Sequence, residues 1–380
     1  DSVVSLPIWL SKVGYRTARI GKYHVAPEAI YPFDQHLTGN QGGSRNPVSM
    51  AEKCQPFINK DKSRPFFLYF CTSDPHRGGG YANELPYKPN RFGNNQTYEG
   101  VKELIYDPQE VLVPDYLPDS PECRAELAQY YQSVSRIDQG LGRLVQILKE
   151  ADQYENTLIL YLSDNGIAFP GAKTTLYEPG MRLPLIVRSP DQSKRGIATD
   201  AMVSWTDLTP TLLDFAGIDL SRLEHNNSRG ERAPYAFHGR SFLSILEKEK
   251  ALEWDYVFAS HTFHEITMYY PMRVIRTRQF KYTLNLAHQL PYPFASDLYE
   301  APTWQAAVKD GMDGLYGKRR IGDYIQRPRH ELYNMEADPA EIENLASNPE
   351  FERTLINLQD RLRAFQEASG DPWVVKYKYE

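Results

Sequence analysis

Pro65-Phe66-Phe67-Leu68-Tyr69-Phe70-Cys71-Thr72 is an unbroken apolar run that ends in Ser73-Asp74-Pro75-His76-Arg77. It has the length of a strand rather than a helix. A strand that is apolar at consecutive positions, not alternate ones, suits a sheet covered on both faces. Two other segments repeat the plan. Residues 15–20 alternate like a strand and run into Gly21-Lys22-Tyr23-His24, and residues 157–162 are apolar and run into Ser163-Asp164-Asn165-Gly166. Between them, apolar residues from Leu127 to Leu148 recur at helical spacing and predict a long helix over 122–151. Buried strands alternating with helices predict an α/β fold: a large mixed, mostly parallel sheet flanked by helices.

Working outward, residues 2–13 read as a short helix stopped by Gly14. Residues 80–120, rich in Pro, Asn, Gly and Tyr, read as a long surface loop. Residues 183–187 read as a strand, 206–215 as a capped helix, and 221–235 as a polar loop. From residue 269 the texture changes. Arg273-Val274-Ile275-Arg276 and Lys281-Tyr282-Thr283-Leu284 predict a hairpin, Glu331-Leu332-Tyr333 a strand, and 349–368 a helix. The expected division is an α/β domain over 1–268 and a smaller antiparallel α+β domain over 269–380.

Composition narrows the class. The chain has 380 residues, 41% hydrophobic and 24% charged, which is ordinary for a globular protein and excludes a disordered or coiled-coil chain. Its net charge of −6 lacks the basic excess of a nucleic-acid binder. The longest apolar runs fall well short of the ~20 residues that span a bilayer. Three cysteines, Cys54, Cys71 and Cys123, build neither a disulfide framework nor a thiolate zinc site. With 26 tyrosines and 27 prolines, the loops suit a rigid surface for polar ligands such as sugars.

The chemistry lies just past the strand ends, where open α/β sheets bind their ligands. Lys22 and His24 are two apart, so an extended backbone presents both on one side. In Asp74-Pro75-His76 the acid could orient the imidazole. Asp164-Asn165-Gly166 reads most simply as a tight turn, and its functional reading is two adjacent oxygen ligands for a hard cation. Each signal alone is ordinary; at the ends of consecutive strands they predict one shared crevice.

The ordered set Gly21-Lys22-Tyr23-His24, Asp74-Pro75-His76-Arg77, Ser163-Asp164-Asn165-Gly166 and Lys173 with Tyr177-Glu178-Pro179-Gly180 resembles the formylglycine-dependent sulfatases of the alkaline phosphatase superfamily. The likeness runs over nearly the whole chain. Within that family the segments Lys22-Tyr23-His24-Val25-Ala26-Pro27-Glu28 and His264-Glu265-Ile266-Thr267-Met268-Tyr269-Tyr270-Pro271-Met272-Arg273 look like the heparan N-sulfatase branch. The resemblance implies roles. Lys22 would hold the nucleophile and a sulfuryl oxygen, His24 would act as the base, His76 would protonate the leaving group, and Lys173 would bind the sulfuryl oxygens. Asp164 and Asn165 would ligate Ca²⁺, with Mg²⁺ as the other hard cation. Asp74, His264, Glu265 and Arg273 would line the substrate pocket; the alternative is exposed hairpin or core polar groups. The implied partner is a sulfated glycosaminoglycan saccharide, with no nucleic acid and no membrane span, and a homodimer is compatible with the resemblance. Family members are secreted, periplasmic or lysosomal, and the lack of paired cysteines tilts the expectation to a bacterial periplasm.

One part of the family pattern is missing. Formylglycine forms from Cys or Ser in Cys/Ser-x-Pro-x-Arg, yet Cys54-Gln55-Pro56 meets Ile58 where Arg belongs, and Ser63-Arg64-Pro65 meets Phe67. The paired aspartates that complete the metal site are also absent, and both features precede the Lys22 region in the family. The expectation is therefore a chain that continues a longer protein and is inactive alone. Four readings stay open: an N-sulfatase, an O-sulfatase, a phosphonate or phosphate monoester hydrolase, and a non-catalytic sugar-binding relative.

Overall fold

β1 (Arg16–Gly21) is the axis of the parallel sheet, with β2 (Gln35–Leu37) on one side and β3 (Phe66–Cys71) on the other. The computed structural model describes residues 4–39, 42–78, 80–226, 232–265 and 267–379. Residues 227–231 of the polar 221–235 stretch, and Ile266, lie outside them. Both pairings are parallel, with Ala18 opposite Gln35 and Arg16 opposite Phe66. Parallel neighbours need a crossover, and α2 (Pro47–Asn59) provides it between β2 and β3. The Asn46 side chain caps α2 by accepting from the Ser49 N–H at 3.1 Å. α2 packs so tightly on α3 (Pro121–Glu150) that a Cβ on Gly140 would sit 2.2 Å from that of Pro47. Ala18, Ile20, Met50, Phe57 and Ile147 fill the core between them.

α3 starts where its sequence predicts, capped by the Ser120 hydroxyl. Along its middle, however, the faces are exchanged. Glu126, Gln129, Ser133, Arg136 and Gly140 are buried. Tyr130, Val134, Ile137, Leu141 and Leu144 instead line a cavity of about 1700 Å³. α1 (Leu6–Lys12) adds Leu6 and Leu10 to its wall, and α5 (Leu208–Phe215) adds Leu212 and Phe215. The other walls are β3 and β4 (Ile159–Leu162). β4 pairs antiparallel with β5 (Leu185–Arg188), Ile159 facing Arg188. Among the described residues β4 does not pair with β3, and the cavity is lined by both strands. This accounts for a departure from the sequence reading. β3 and β4 were expected to be covered on both faces, but no residue of either is fully buried, and Tyr69 is 38% exposed.

The C-terminal part is a four-stranded antiparallel sheet. β6 (Tyr256–His264), β7 (Met268–Thr277), β8 (Phe280–Asn285) and β9 (His330–Asn334) run in the order β9-β8-β7-β6. α8 (Glu352–Ala368) lays Leu358 and Leu362 on Ile275, Tyr282, Leu284 and Leu332. The sheet begins ahead of the expected division at 268/269. His261, Thr262 and His264 break the apolar pattern of β6, so the sequence does not announce it. Among the described residues no helix is long and apolar enough to cross a membrane. Three short helices complete the frame used below: α4 (Glu178–Met181), α6 (Ser296–Tyr299) and α7 (Pro302–Ala307).

A buried polar knot joins α3 to α7. Arg77 pairs with Glu126, whose other oxygen accepts from the Thr303 N–H at 3.0 Å and its hydroxyl at 2.5 Å. Arg77 also donates to the Ala168 carbonyl at 2.6 Å and stacks on Phe92 and Phe169. Glu126→Ala strands the guanidinium and both Thr303 donors in a site that is 0% exposed at the glutamate. Breaking a buried pair in this way costs about 3–5 kcal/mol. Urea unfolding should show the midpoint fall with an unchanged slope; a loss within the ~0.5 kcal/mol of an ordinary surface substitution would contradict the reading.

Candidate functional site

The end of β1 is shaped by Gly21. Its φ is +87°, and a Cβ there would meet the Cys71 carbonyl oxygen at 2.0 Å, so only glycine lets β1 close on β3 at this point. The Lys22 N–H then donates to that carbonyl at 2.7 Å, and Lys22 leaves the strand half-buried, with His24 exposed beyond it. At the end of β3, Asp74 is a structural tie. Arg45 holds one of its oxygens at 2.5 Å and Arg136 the other at 2.8 Å. The carboxylate expected in the substrate pocket is thus engaged by two guanidiniums as it lines the cavity.

His76 follows two residues later. Its Nδ1 lies 2.6 Å from the Arg77 carbonyl oxygen. A carbonyl only accepts, so Nδ1 carries the proton and Nε2 is left to exchange one. Nε2 is 3.5 Å from the Lys173 Nζ. Partial burial, first, and then the Lys173 and Lys22 charges hold His76 below the ordinary histidine value; the Arg77 carbonyl and Asp297 oppose them.

Lys173 sits on the loop after β4 and is 6% exposed. The loop is pinned from the C-terminal part: the Tyr292 hydroxyl donates to the Thr174 carbonyl at 2.8 Å, and the Gly171 N–H to the Tyr324 hydroxyl at 2.9 Å. Lys173 Nζ donates to Asp297 Oδ2 on α6 at 2.7 Å. Sequence reasoning missed Asp297. Its partner is 124 residues away, and no spacing or motif marks it. Glu265 reaches α6 as well, accepting from the Ser296 hydroxyl at 3.1 Å and N–H at 3.3 Å. His264 is half-buried; burial and the Lys173 and His24 charges lower it, against Glu265 and Asp297. Arg273 lies elsewhere. It is buried, bidentate to Asp371 at 2.5 and 3.0 Å, and bonded to the His261 and Met272 carbonyls. It does not line the cavity, so the pocket role expected for it is replaced by a tie to the residues after α8.

Lys22, His24, Asp74, His76, Asp164, Asn165 and Lys173 line one cavity. The residues past the ends of β1, β3 and β4 therefore border a common cavity. Asp164 and Asn165 are exposed to it. They bring one carboxylate and one amide oxygen, the donor chemistry of a hard cation, which takes about 6–8 oxygens. No group of three or more His, Cys, Asp or Glu side chains among the described residues could hold a metal ion. The pair fits such a cation as part of a set, not as the whole. None of the cysteines is poised as a thiolate: burial pushes Cys71 up to about 11 and Cys54 and Cys123 to about 12.

The comparisons with known proteins agree along the chain. The sulfatase family profile matches residues 1–218, and the profile described as N-sulphoglucosamine sulphohydrolase, C-terminal, matches 171–303. The human protein named N-sulphoglucosamine sulphohydrolase is 40% identical over 385 residues, spanning 98% of this chain and 76% of the relative. An ulvan-active sulfatase of Formosa agariphila is 24% identical over 98% of this chain and 61% of its own length. Among solved structures, one in complex with its substrate D-glucosamine-2-N,6-O-disulfate superposes with a TM-score of 0.64 at 21% identity, covering 97% of this chain and 82% of that one. The phosphonate monoester hydrolase of Silicibacter pomeroyi has a TM-score of 0.61 at 15% identity over 98% of this chain and 81% of that one.

Proposed function

This chain belongs to the sulfatase family, and on that premise we propose that it hydrolyses a sulfamate, removing the N-linked sulfate from glucosamine at the end of a heparan sulfate chain. In that reaction the S–N bond breaks, water supplies the oxygen that completes sulfate, and the nitrogen gains a proton. The observation that carries the reading is the convergence of two lysines and two histidines on one cavity, at the ends of strands that are remote in sequence. Charge grows on the sulfuryl oxygens and on the leaving nitrogen as the bond breaks. Lys22 and Lys173 offset the first, and Lys173, buried and fixed by Asp297, does so without reorganising. His76 Nε2 delivers the proton to the second, and His24, exposed at the same mouth, takes a proton from the attacking side. Asp164 and Asn165 would hold part of a Ca²⁺ shell, and the cation when bound withdraws charge as a Lewis acid. The nucleophile and the remaining ligands come, in this reading, from polypeptide outside residues 1–380.

Sulfate release from N-sulfoglucosamine and from glucosamine 6-O-sulfate tests the proposal in the protein as its host makes it. The N-sulfated sugar should have the higher kcat/KM. Equal or faster turnover of the O-sulfated sugar would overturn the sulfamate assignment and favour an O-sulfatase.

A further inference from the structure

We propose that Tyr292 is a positioning residue for Lys173: its hydroxyl holds Thr174 in a left-handed backbone conformation that aims the lysine into the cavity wall. The inference rests on the sulfamate reading above for what Lys173 does, and it concerns a buried tyrosine that no motif or strand end points to. Thr174 has φ +67°. L-residues rarely adopt this region, and a β-branched one persists there only where its surroundings impose it. The backbone on either side is anchored. The Lys173 N–H donates to the Ile167 carbonyl at 3.1 Å, and the Thr175 hydroxyl lies 3.1 Å from both the Gly171 and the Ala172 carbonyl oxygens. Thr174 sits between these anchors, so its φ fixes how the peptide carrying Lys173 is turned against the one that follows. The Thr174 hydroxyl donates to the Lys173 carbonyl at 2.6 Å, and the Tyr292 hydroxyl donates to the Thr174 carbonyl at 2.8 Å.

Tyr292 is itself immobile. It is buried, its N–H donates to the Ile325 carbonyl at 2.7 Å, and the Arg327 guanidinium lies 3.5 Å over its ring. Tyr324, which accepts from the Gly171 N–H, packs edge-on against it with ring centroids 5.5 Å apart. The hold on the loop therefore comes from the C-terminal part. At the other end, Lys173 lines the cavity with its ammonium 2.7 Å from Asp297 Oδ2 and 3.5 Å from His76 Nε2. Without the hydroxyl, the Thr174 carbonyl loses its partner and φ relaxes to negative values, which swings Lys173 off this line.

Tyr292→Phe keeps the ring and removes only the bond. Its kcat/KM for N-sulfoglucosamine should fall by about ten- to a hundredfold, the scale of a misplacement of about 1 Å. A second effect needs no substrate. Burial, first, and then the Lys173 and Lys22 charges hold His76 low, against the Arg77 carbonyl and Asp297. As the Lys173 charge recedes, His76 should titrate higher, which NMR of the histidine-labelled protein, as its host makes it, reads directly. Two backgrounds separate positioning from packing. Thr174→Gly accepts the left-handed conformation freely, so Tyr292→Phe should cost markedly less kcat/KM there. Lys173→Met has no charge to move, so Tyr292→Phe should leave His76 titrating where Lys173→Met puts it. An unchanged His76 titration in Tyr292→Phe, or a shift of the same size in the Lys173→Met background, overturns the role of Tyr292. If the wild type releases sulfate from neither N-sulfoglucosamine nor glucosamine 6-O-sulfate, the sulfamate reading fails by itself, and the titrations alone decide Tyr292.

Discussion

Residues 1–380, purified alone and given N-sulfoglucosamine, should release no sulfate above the buffer rate. The reason is physical as well as chemical. None of the three cysteines sits in the nucleophile motif, and burial keeps each of them a thiol. The cavity explains what else is needed. Arg16 and Lys22 donate to the Pro65 and Cys71 carbonyls, so the odd residues of β3 face β1. By strand alternation, the N–H and C=O of Phe66, Leu68 and Phe70 then turn toward the cavity. The far edge of β4 is likewise unpaired among the described residues, and apolar side chains of α3, α5 and α1 complete the walls. We read this as the seat of an extended apolar segment that joins the two parts of the sheet. Such a segment, lying beside β3, would end at the rim with Lys22 and Asp164. Hydrogen exchange checks the geometry: the Phe66, Leu68 and Phe70 amides should be unprotected in the isolated chain and protected in the protein as its host makes it. Sulfate release from the isolated chain that His76→Ala abolishes would place the nucleophile inside it and refute the reading.

The same slot marks the limit of what the sequence disclosed. β1, β3, β4 and α3 are legible because unbroken or periodic apolar patterns have few other uses. The sequence also shows that α3 has an apolar face, but not what covers it. In the fold its polar face is buried by α2 and Arg77, with Arg136 on Asp74 and Glu126 on Arg77. Lys22, His76 and Asp164 could be placed because strand ends converge in an open sheet, and Lys173 only through the family resemblance. Asp74 and Arg273 looked equally available. Their partners, Arg136 and Asp371, lie 62 and 98 residues away, and a charge's freedom depends on such partners rather than on its motif. Asp297 was invisible for the converse reason: an unremarkable acid on the short helix α6 gains its meaning from Lys173.

His76→Ala should lower kcat/KM for N-sulfoglucosamine by about 10²–10⁴, the usual worth of a positioned general acid. An amine is a poor leaving group unless protonated, so the loss should fall on the chemical step and appear in kcat. An aryl sulfate with an acidic phenol leaves without help, and its turnover should change little. That contrast separates a proton donor from a structural histidine, because a collapsed pocket would slow both substrates alike. The pH profile supplies an independent sign. His76 acts in its protonated form, and burial with Lys173 and Lys22 beside it holds its pKa below 6.5, against the pull of Asp297 and the Arg77 carbonyl. Wild-type activity on the sulfamate should therefore decline as pH rises through a value under 6.5. The declining limb should vanish in His76→Ala. Removing the carboxylate in Asp297→Asn takes away an interaction that favours the charged imidazole, so there the limb should move to lower pH. Equal losses on the amine and aryl substrates, with the limb intact in His76→Ala, would assign the leaving-group proton to another residue, and His264, which is also electrostatically coupled to Lys173 and Asp297, would be the next to replace.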